Sequence, residues 1–262
     1  MFIIRRKKLY FRPHSKRVNF ILAGTQKAGT TALYHYLKNH PHIGMAKKKE
    51  LHFFNNEITF AKPYVLYSRY EKHFDFASGA KVYGEATPSY IYWENTPRRI
   101  WEYNPDMKLI FILRNPIDRA FSQWNMEIDR GNEHLAFCEA IKKERVRNQN
   151  TPFLNDRYSY IIKGMYAEQI RRYQRYFPDH QMLFIKYEYF KNHQLETLHK
   201  IFHFLNINPH LYNFEKKIVH KRPIHDKLSL DTRKNLIEIY HYNIKEVENL
   251  LGWDCSDWIR VP

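Results

Sequence analysis

Only two cysteines occur in the 262 residues, Cys138 and Cys255, far apart and without metal-ligand spacing. That scarcity excludes a disulfide framework and points to a reducing compartment. Long apolar runs are absent too: FILAG and LIFIL have the length of buried strands and are too short to cross a bilayer. The N-terminal MFIIRRKKLYFRPHSKR has an apolar run of three residues before a basic cluster, too short for a signal peptide or an anchor, so the expected location is cytoplasmic. No internal repeat, low-complexity linker or compositional break divides the chain, which predicts a basic tail over residues 1–17 and one domain over 18–262. Negative charge is in short supply, 27 acidic residues against 43 lysines and arginines, for a formal charge of +16. The excess favours an anionic partner, whether nucleic acid, a membrane surface, a phosphorylated cofactor or an acidic polysaccharide; a solvated basic surface would give the same sum.

What is present is ordinary for a folded protein, 44% hydrophobic and 27% charged residues. Within it stands GTQKAGTT, Gly24 to Thr31. The nucleotide-binding phosphate loop is G-x-x-x-x-G-K-[ST], whose lysine reaches the β- and γ-phosphates. Here Gly24 and Gly29 keep the glycine spacing, but Thr30 occupies the lysine position and Lys27 lies in the crown of the loop. Such a lysine sits beside a terminal phosphoanhydride group instead of a γ-phosphate, which suits a diphosphate-like donor.

The order of segments agrees with a phosphate loop. VNFILAG (Val18 to Gly24) is apolar and β-rich, and TTALYHYLKNHP behind the loop has helical spacing before Pro41. A short strand follows Ile43, another in KVYGEATPSY ends near Gly84, a fully apolar run covers Leu109 to Leu113, and MLFIKYE is a further strand. Helices are expected from about Ile117, in GMYAEQIRRYQRYFP and in LETLHKIFHFLNI, then in two further stretches with Gly252 capping the last. Strands separated by helices give an α/β fold of three layers, P-loop-like, with a central, mostly parallel sheet of about five strands flanked by helices.

Two more stretches carry chemistry. In LRNPIDRAFSQW, Arg114 ends a strand and Ser122 lies one to two turns into the next helix, so a guanidinium fork and a hydroxyl can converge on one anion. In KKKELHFF, Glu50 and His52 are two apart and in extended backbone share one face. A carboxylate there can take a proton from a hydroxyl or amine while the histidine orients it or assists. Each stretch also has a plain structural explanation: a surface ion pair for Arg114, a solvated Glu50 and a packed His52.

Together, GTQKAGTTALYHYLKNHPHI resembles the 5′-phosphosulfate-binding loop of sulfotransferases, and LIFILRNPIDRAFSQW resembles their 3′-phosphate-binding segment. With KKKELHFF, GEATPSY and GMYAEQIRRYQRYFP, the likeness is to the group containing the heparan sulfate sulfotransferases and their bacterial relatives, from about Val18 to Trp258. The resemblance implies 3′-phosphoadenosine 5′-phosphosulfate as co-substrate, with no metal required. It implies donor contacts from Thr25, Gln26, Lys27, Ala28, Gly29, Thr30 and Thr31, from Arg114 and Ser122, and from Lys221 and Arg222 in a basic loop. Glu50 is then the catalytic base, His52 its supporting neighbour, and Lys27 the group that neutralises the bridging oxygen. Ala86 follows Glu85 where several heparan-type enzymes carry a lysine, so that lysine's role is absent or supplied from elsewhere.

The expected activity is transfer of a sulfonate group to a hydroxyl or amine, with a carbohydrate or glycolipid acceptor, no obligatory nucleic acid, and peripheral contact of the basic tail with an anionic membrane. Two alternatives stay open: a nucleotide kinase with an atypical phosphate loop, and a non-catalytic nucleic-acid or polyanion-binding protein.

Overall fold

The structure, a computed structural model, describes residues 17–150, 157–214 and 226–261. Five parallel strands form one sheet in the order β2-β3-β1-β4-β5: β1 Phe20–Gly24, β2 Ile43–Met45, β3 Val82–Ala86, β4 Lys108–Leu113 and β5 Met182–Lys186. Parallel strands need crossovers, and helices fill them. In chain order the helices used below are α1 (Thr30–Lys38), α2 (Thr96–Tyr103), α3 (Pro116–Asp129), α4 (Phe137–Asn150), α5 (Tyr166–Gln174), α6 (Gln194–Phe204) and α7 (Leu230–Leu251).

Side-chain alternation along the central strands builds two cores. Ile21, Ala23, Leu109, Phe111 and Leu113 face α2, α3, α5 and α7, with Ile100, Ile117, Tyr173 and Tyr240 in the same cluster. Phe20, Leu22, Ile110 and Ile112 face α1 and α6, meeting Leu33, Leu37, Leu198 and Phe202. Because β1 and β4 are covered on both faces, their sequences read as continuous apolar runs. The expected three-layer arrangement of about five strands is what forms.

Two boundaries differ from expectation. β3 continues through Ala86 because Leu22 of β1 pairs with it, so the strand outlasts Gly84. Among the described residues the C-terminal helical region is one helix of 22 residues, α7, not two. It is fixed by Ser229, whose side chain accepts from the Thr232 amide, and ends at Gly252 with φ 65°, the left-handed cap its residue type suits.

The topology puts the carboxyl ends of β3, β1 and β4 side by side. In open parallel sheets that edge is where ligands bind. The loop Thr25–Gly29 leaves β1 there, Arg114 leaves β4, and the segment ending at Glu50 is tied to β3 by Ala46 N–H to the Gly84 carbonyl and Glu50 N–H to the Ala86 carbonyl, both 2.9 Å.

Candidate active site

The loop is anchored at its start. Thr25 is buried and sends both its amide (2.7 Å) and its hydroxyl (2.9 Å) to the Ile112 carbonyl, so its side chain pins the loop to β4. Gln26 and Lys27 are partly exposed, and Ala28 packs into the core under the crown. Lys27 and Gly29 both take left-handed backbone, φ 71° and 79°. At Gly29 a Cβ would sit 3.1 Å from the Tyr187 ring, so glycine answers both the dihedral and the space. Helix α1 begins at Thr30 without a side-chain cap, which leaves its first amides and positive dipole end to an anion. Thr30 is buried and Thr31 partly exposed, in that first turn.

Arg114 closes the loop from the side. Its Nη1 donates to the Lys27 carbonyl at 2.9 Å and its guanidinium lies 5.0 Å from the Tyr187 ring centroid. Next to it, Asn115 caps α3 by accepting from the Ile117 amide at 3.0 Å, which fixes the helix that carries Ser122 in its second turn. Ser122 is partly exposed. Arg114 and the loop are thus joined directly; Ser122 is placed only by its position in the second turn of α3.

Glu50 and His52 come together, by a route other than the expected one. No strand runs through them: both adopt left-handed backbone, φ 63° and 52°, so residue spacing in extended chain is not what aligns them. The turn instead brings His52 Nε2 to 3.7 Å from Glu50 Oε2, and Lys49 Nζ bonds Glu50 Oε1 directly. His52, with Lys49 behind it, holds the Glu50 carboxyl down to about 2, against the opposing effect of partial burial. On the other side of the ring, the Asn55 amide oxygen accepts from His52 Nδ1 (3.2 Å) and from Trp93 Nε1 (3.0 Å), and its nitrogen donates to the His52 carbonyl. That orientation turns Nε2 toward Glu50.

Several of these contacts have no signal in the sequence. Nothing sets Lys49 apart from Lys47 and Lys48, and Asn55 stands outside any motif. The fully buried Glu85 accepts from Thr87 Oγ1 (2.6 Å) and from Tyr90 OH (3.0 Å), and burial pushes its carboxyl up. The same Tyr90 oxygen accepts from the amides of Phe53 (3.0 Å) and Phe54 (3.3 Å), so Glu85 and Tyr90 brace the chain immediately after His52. Lys163 is also buried and reaches Gln26 of the loop, Nζ to Oε1 3.2 Å. Ala86 is fully buried in the core on the α1 side. Lys221 and Arg222 lie outside the described residues.

The geometry has counterparts. The sulfotransferase domain family matches residues 17–246. The membrane-associated sulfotransferase kil1 of Dictyostelium discoideum is 25% identical over 90% of this chain and 65% of its own length. The mouse heparan sulfate glucosamine 3-O-sulfotransferase 5 is 28% identical over 74% of this chain and 55% of its own. The chain therefore spans between about half and two-thirds of these relatives. A crystal structure of a sulfotransferase from Alicyclobacillus acidocaldarius superposes with a TM-score of 0.81 at 28% identity, over 94% of this chain and all of that one. The phosphate loop without its kinase lysine is thus matched along most of the sequence and in the whole fold, and the chain belongs to the sulfotransferase family.

Proposed function

We propose that residues 18–262 form one catalytic domain that transfers a sulfonate group from 3′-phosphoadenosine 5′-phosphosulfate to a hydroxyl or amine. The acceptor in this reading is a carbohydrate or glycolipid, and the heparan sulfate in the names of two relatives supports a carbohydrate. The observation that carries this reading is the joining of Arg114 to the Lys27 carbonyl, which sets a guanidinium beside a loop whose own lysine sits in the crown. That pairing suits a ligand charged at both the 5′ and the 3′ position and lacking a γ-phosphate.

In this reading the amides at the start of α1 and Lys27 bind the 5′-phosphosulfate, while Arg114 and Ser122 take the 3′-phosphate. The acceptor oxygen or nitrogen attacks sulfur, the bond from sulfur to the bridging oxygen breaks, and the acceptor proton passes to Glu50. Lys27 offsets the negative charge left on the bridging oxygen, a contribution larger in the transition state than in the ground state. A carboxylate held near 2 is a weak base at rest. Loosening of the Lys49 contact when acceptor binds would raise its basicity, and His52 Nε2 stands beside it to share the proton. Lys27 fills the place that a magnesium ion takes in phosphoryl transfer, so the reaction is assigned no metal.

The test is transfer of radiolabelled sulfonate from the donor to a panel of glycans and glycolipids. Label on a glycan with the native protein, and its loss in Glu50→Gln, is the expected result. Label on no acceptor of either class, with the donor bound, would reject the acceptor assignment.

A further inference from the structure

We infer that Lys163 is a second cation, besides Lys27, for the 5′-phosphosulfate end of the donor. The inference rests on the donor assignment just made. Its ammonium lies 3.2 Å from Gln26 Oε1, one residue before Lys27 in the loop, and 5.5 Å from the Tyr92 ring centroid. Lys163 shares a small cleft with Thr25, Gln26, Ser89 and Arg119. Ser89 in turn stands 3.4 Å from His52 Nδ1. The ammonium therefore shares one cleft with the phosphate loop and with Ser89, the residue that borders His52.

The backbone beneath Lys163 is built to hold it there. The residue sits in a single 3-10 turn, Ile162–Gly164, which precedes α5. Glu144, buried on α4, accepts from the amides of Ile161 (2.6 Å) and Ile162 (3.0 Å). Gln169 donates to the carbonyls of Ile162 (3.2 Å) and Lys163 (3.3 Å), Tyr240 donates to that of Ile161 (2.9 Å), and Arg119 bonds that of Tyr160. At Gly164 a Cβ would meet the Tyr240 hydroxyl at 2.7 Å and Pro116 at 2.9 Å, so the turn is packed without slack. Side chains from four helices thus fix one turn whose cation points at the loop. A lysine only 4% exposed is costly to bury and gains most from an anion placed beside it.

The experiment titrates 3′-phosphoadenosine 5′-phosphate and adenosine 3′-phosphate, which lacks the 5′ group, into the native protein, Lys163→Met, Lys163→Gln and Lys163→Arg, with the unliganded melting temperature of each as a measure of folding. Loss of a charge-assisted contact is expected to weaken the bisphosphate about 10- to 100-fold in the two neutral variants. Adenosine 3′-phosphate is expected to bind all four alike, and Lys163→Arg to retain most of the bisphosphate affinity. A purely structural lysine would weaken both ligands together. That outcome, or equal bisphosphate binding by native protein and whichever neutral variant folds, overturns the inference while leaving the donor assignment standing. Failure of the native protein to bind the bisphosphate overturns both.

Discussion

At the scale of single residues, the informative contrast is between Lys27 and Glu50. Lys27 was legible because a phosphate loop is defined by a few positions in a row, and its displacement from position 30 says directly which phosphate it does not serve. The partnership of Glu50 and His52 was legible only as a pair: extended spacing suggested the contact, and left-handed turns at both residues make it. Nothing in a run of three lysines marks Lys49 as the one that bonds the carboxylate. If Glu50 takes the acceptor proton, Glu50→Gln keeps size and hydrogen bonding and removes the base; kcat is expected to fall about 10²- to 10⁴-fold with donor affinity nearly unchanged. Near-normal turnover on a genuine acceptor would shift the role to His52.

The sign of the pH effect at this residue can be worked out. A carboxyl depressed to about 2 is ionised throughout the range above it, so its pairing contributes to stability above its ordinary value of 4.5 and is lost as pH falls toward 2. Being partly exposed, the pair adds little to overall stability. Its effect on activity is larger. Lys49→Met removes one of the groups that hold the carboxyl down, so Glu50 should protonate at higher pH and the acid limb of the kcat/KM profile should move upward. An acid limb that stays in place would show that Lys49 does not set the charge of Glu50 in the working enzyme.

At the scale of elements, β1 and β4 were readable because burial on both faces leaves a short apolar run between polar turns, and the edge strand β5 because MLFI is itself a short apolar run. Their pairing order was not, since the order of a parallel sheet depends on where the crossovers pack. α2 and α4 carry no clear apolar stripe in sequence: TPRRIWEY buries a charged residue, Arg99, beside Ile100 and Tyr103, and FCEAIKKERVRNQN is rich in charge and buries only a narrow face. The brace from Glu85 through Tyr90 to the Phe53 and Phe54 amides was hidden for a similar reason, because it joins residues 31 to 37 positions apart through buried polar atoms. Tyr90→Phe deletes a hydroxyl that donates once and accepts twice, leaving a buried carboxylate oxygen and two amides short of a partner. The expected cost is about 1–3 kcal/mol, read as a lower denaturation midpoint with unchanged m-value. kcat should fall with it while 3′-phosphoadenosine 5′-phosphate still binds, since the brace supports the Glu50–His52 turn and not the loop.

At the scale of the whole molecule, an excess of 16 positive charges acquires a specific reading once Lys27, Arg114 and Lys163 gather at one edge of the sheet. Among the described residues no helix is long and apolar enough to cross a membrane. If Lys27 takes the role of a metal ion, as proposed, sulfonate transfer is expected to survive EDTA and to gain nothing from added Mg²⁺; a fall to background with EDTA, restored by Mg²⁺, would remove Lys27 from that role.

The central claim is that this phosphate loop serves a donor with a 5′-phosphosulfate and a 3′-phosphate. Calorimetric titration of the native protein and of Arg114→Ala with 3′-phosphoadenosine 5′-phosphate and, separately, with ATP and Mg²⁺ tests it most directly. The account predicts that the native protein binds the bisphosphate at least about tenfold more tightly than ATP, a difference of about 1.4 kcal/mol, and that Arg114→Ala erases most of that preference. ATP binding as tightly as the bisphosphate, or a preference untouched by Arg114→Ala, would contradict it.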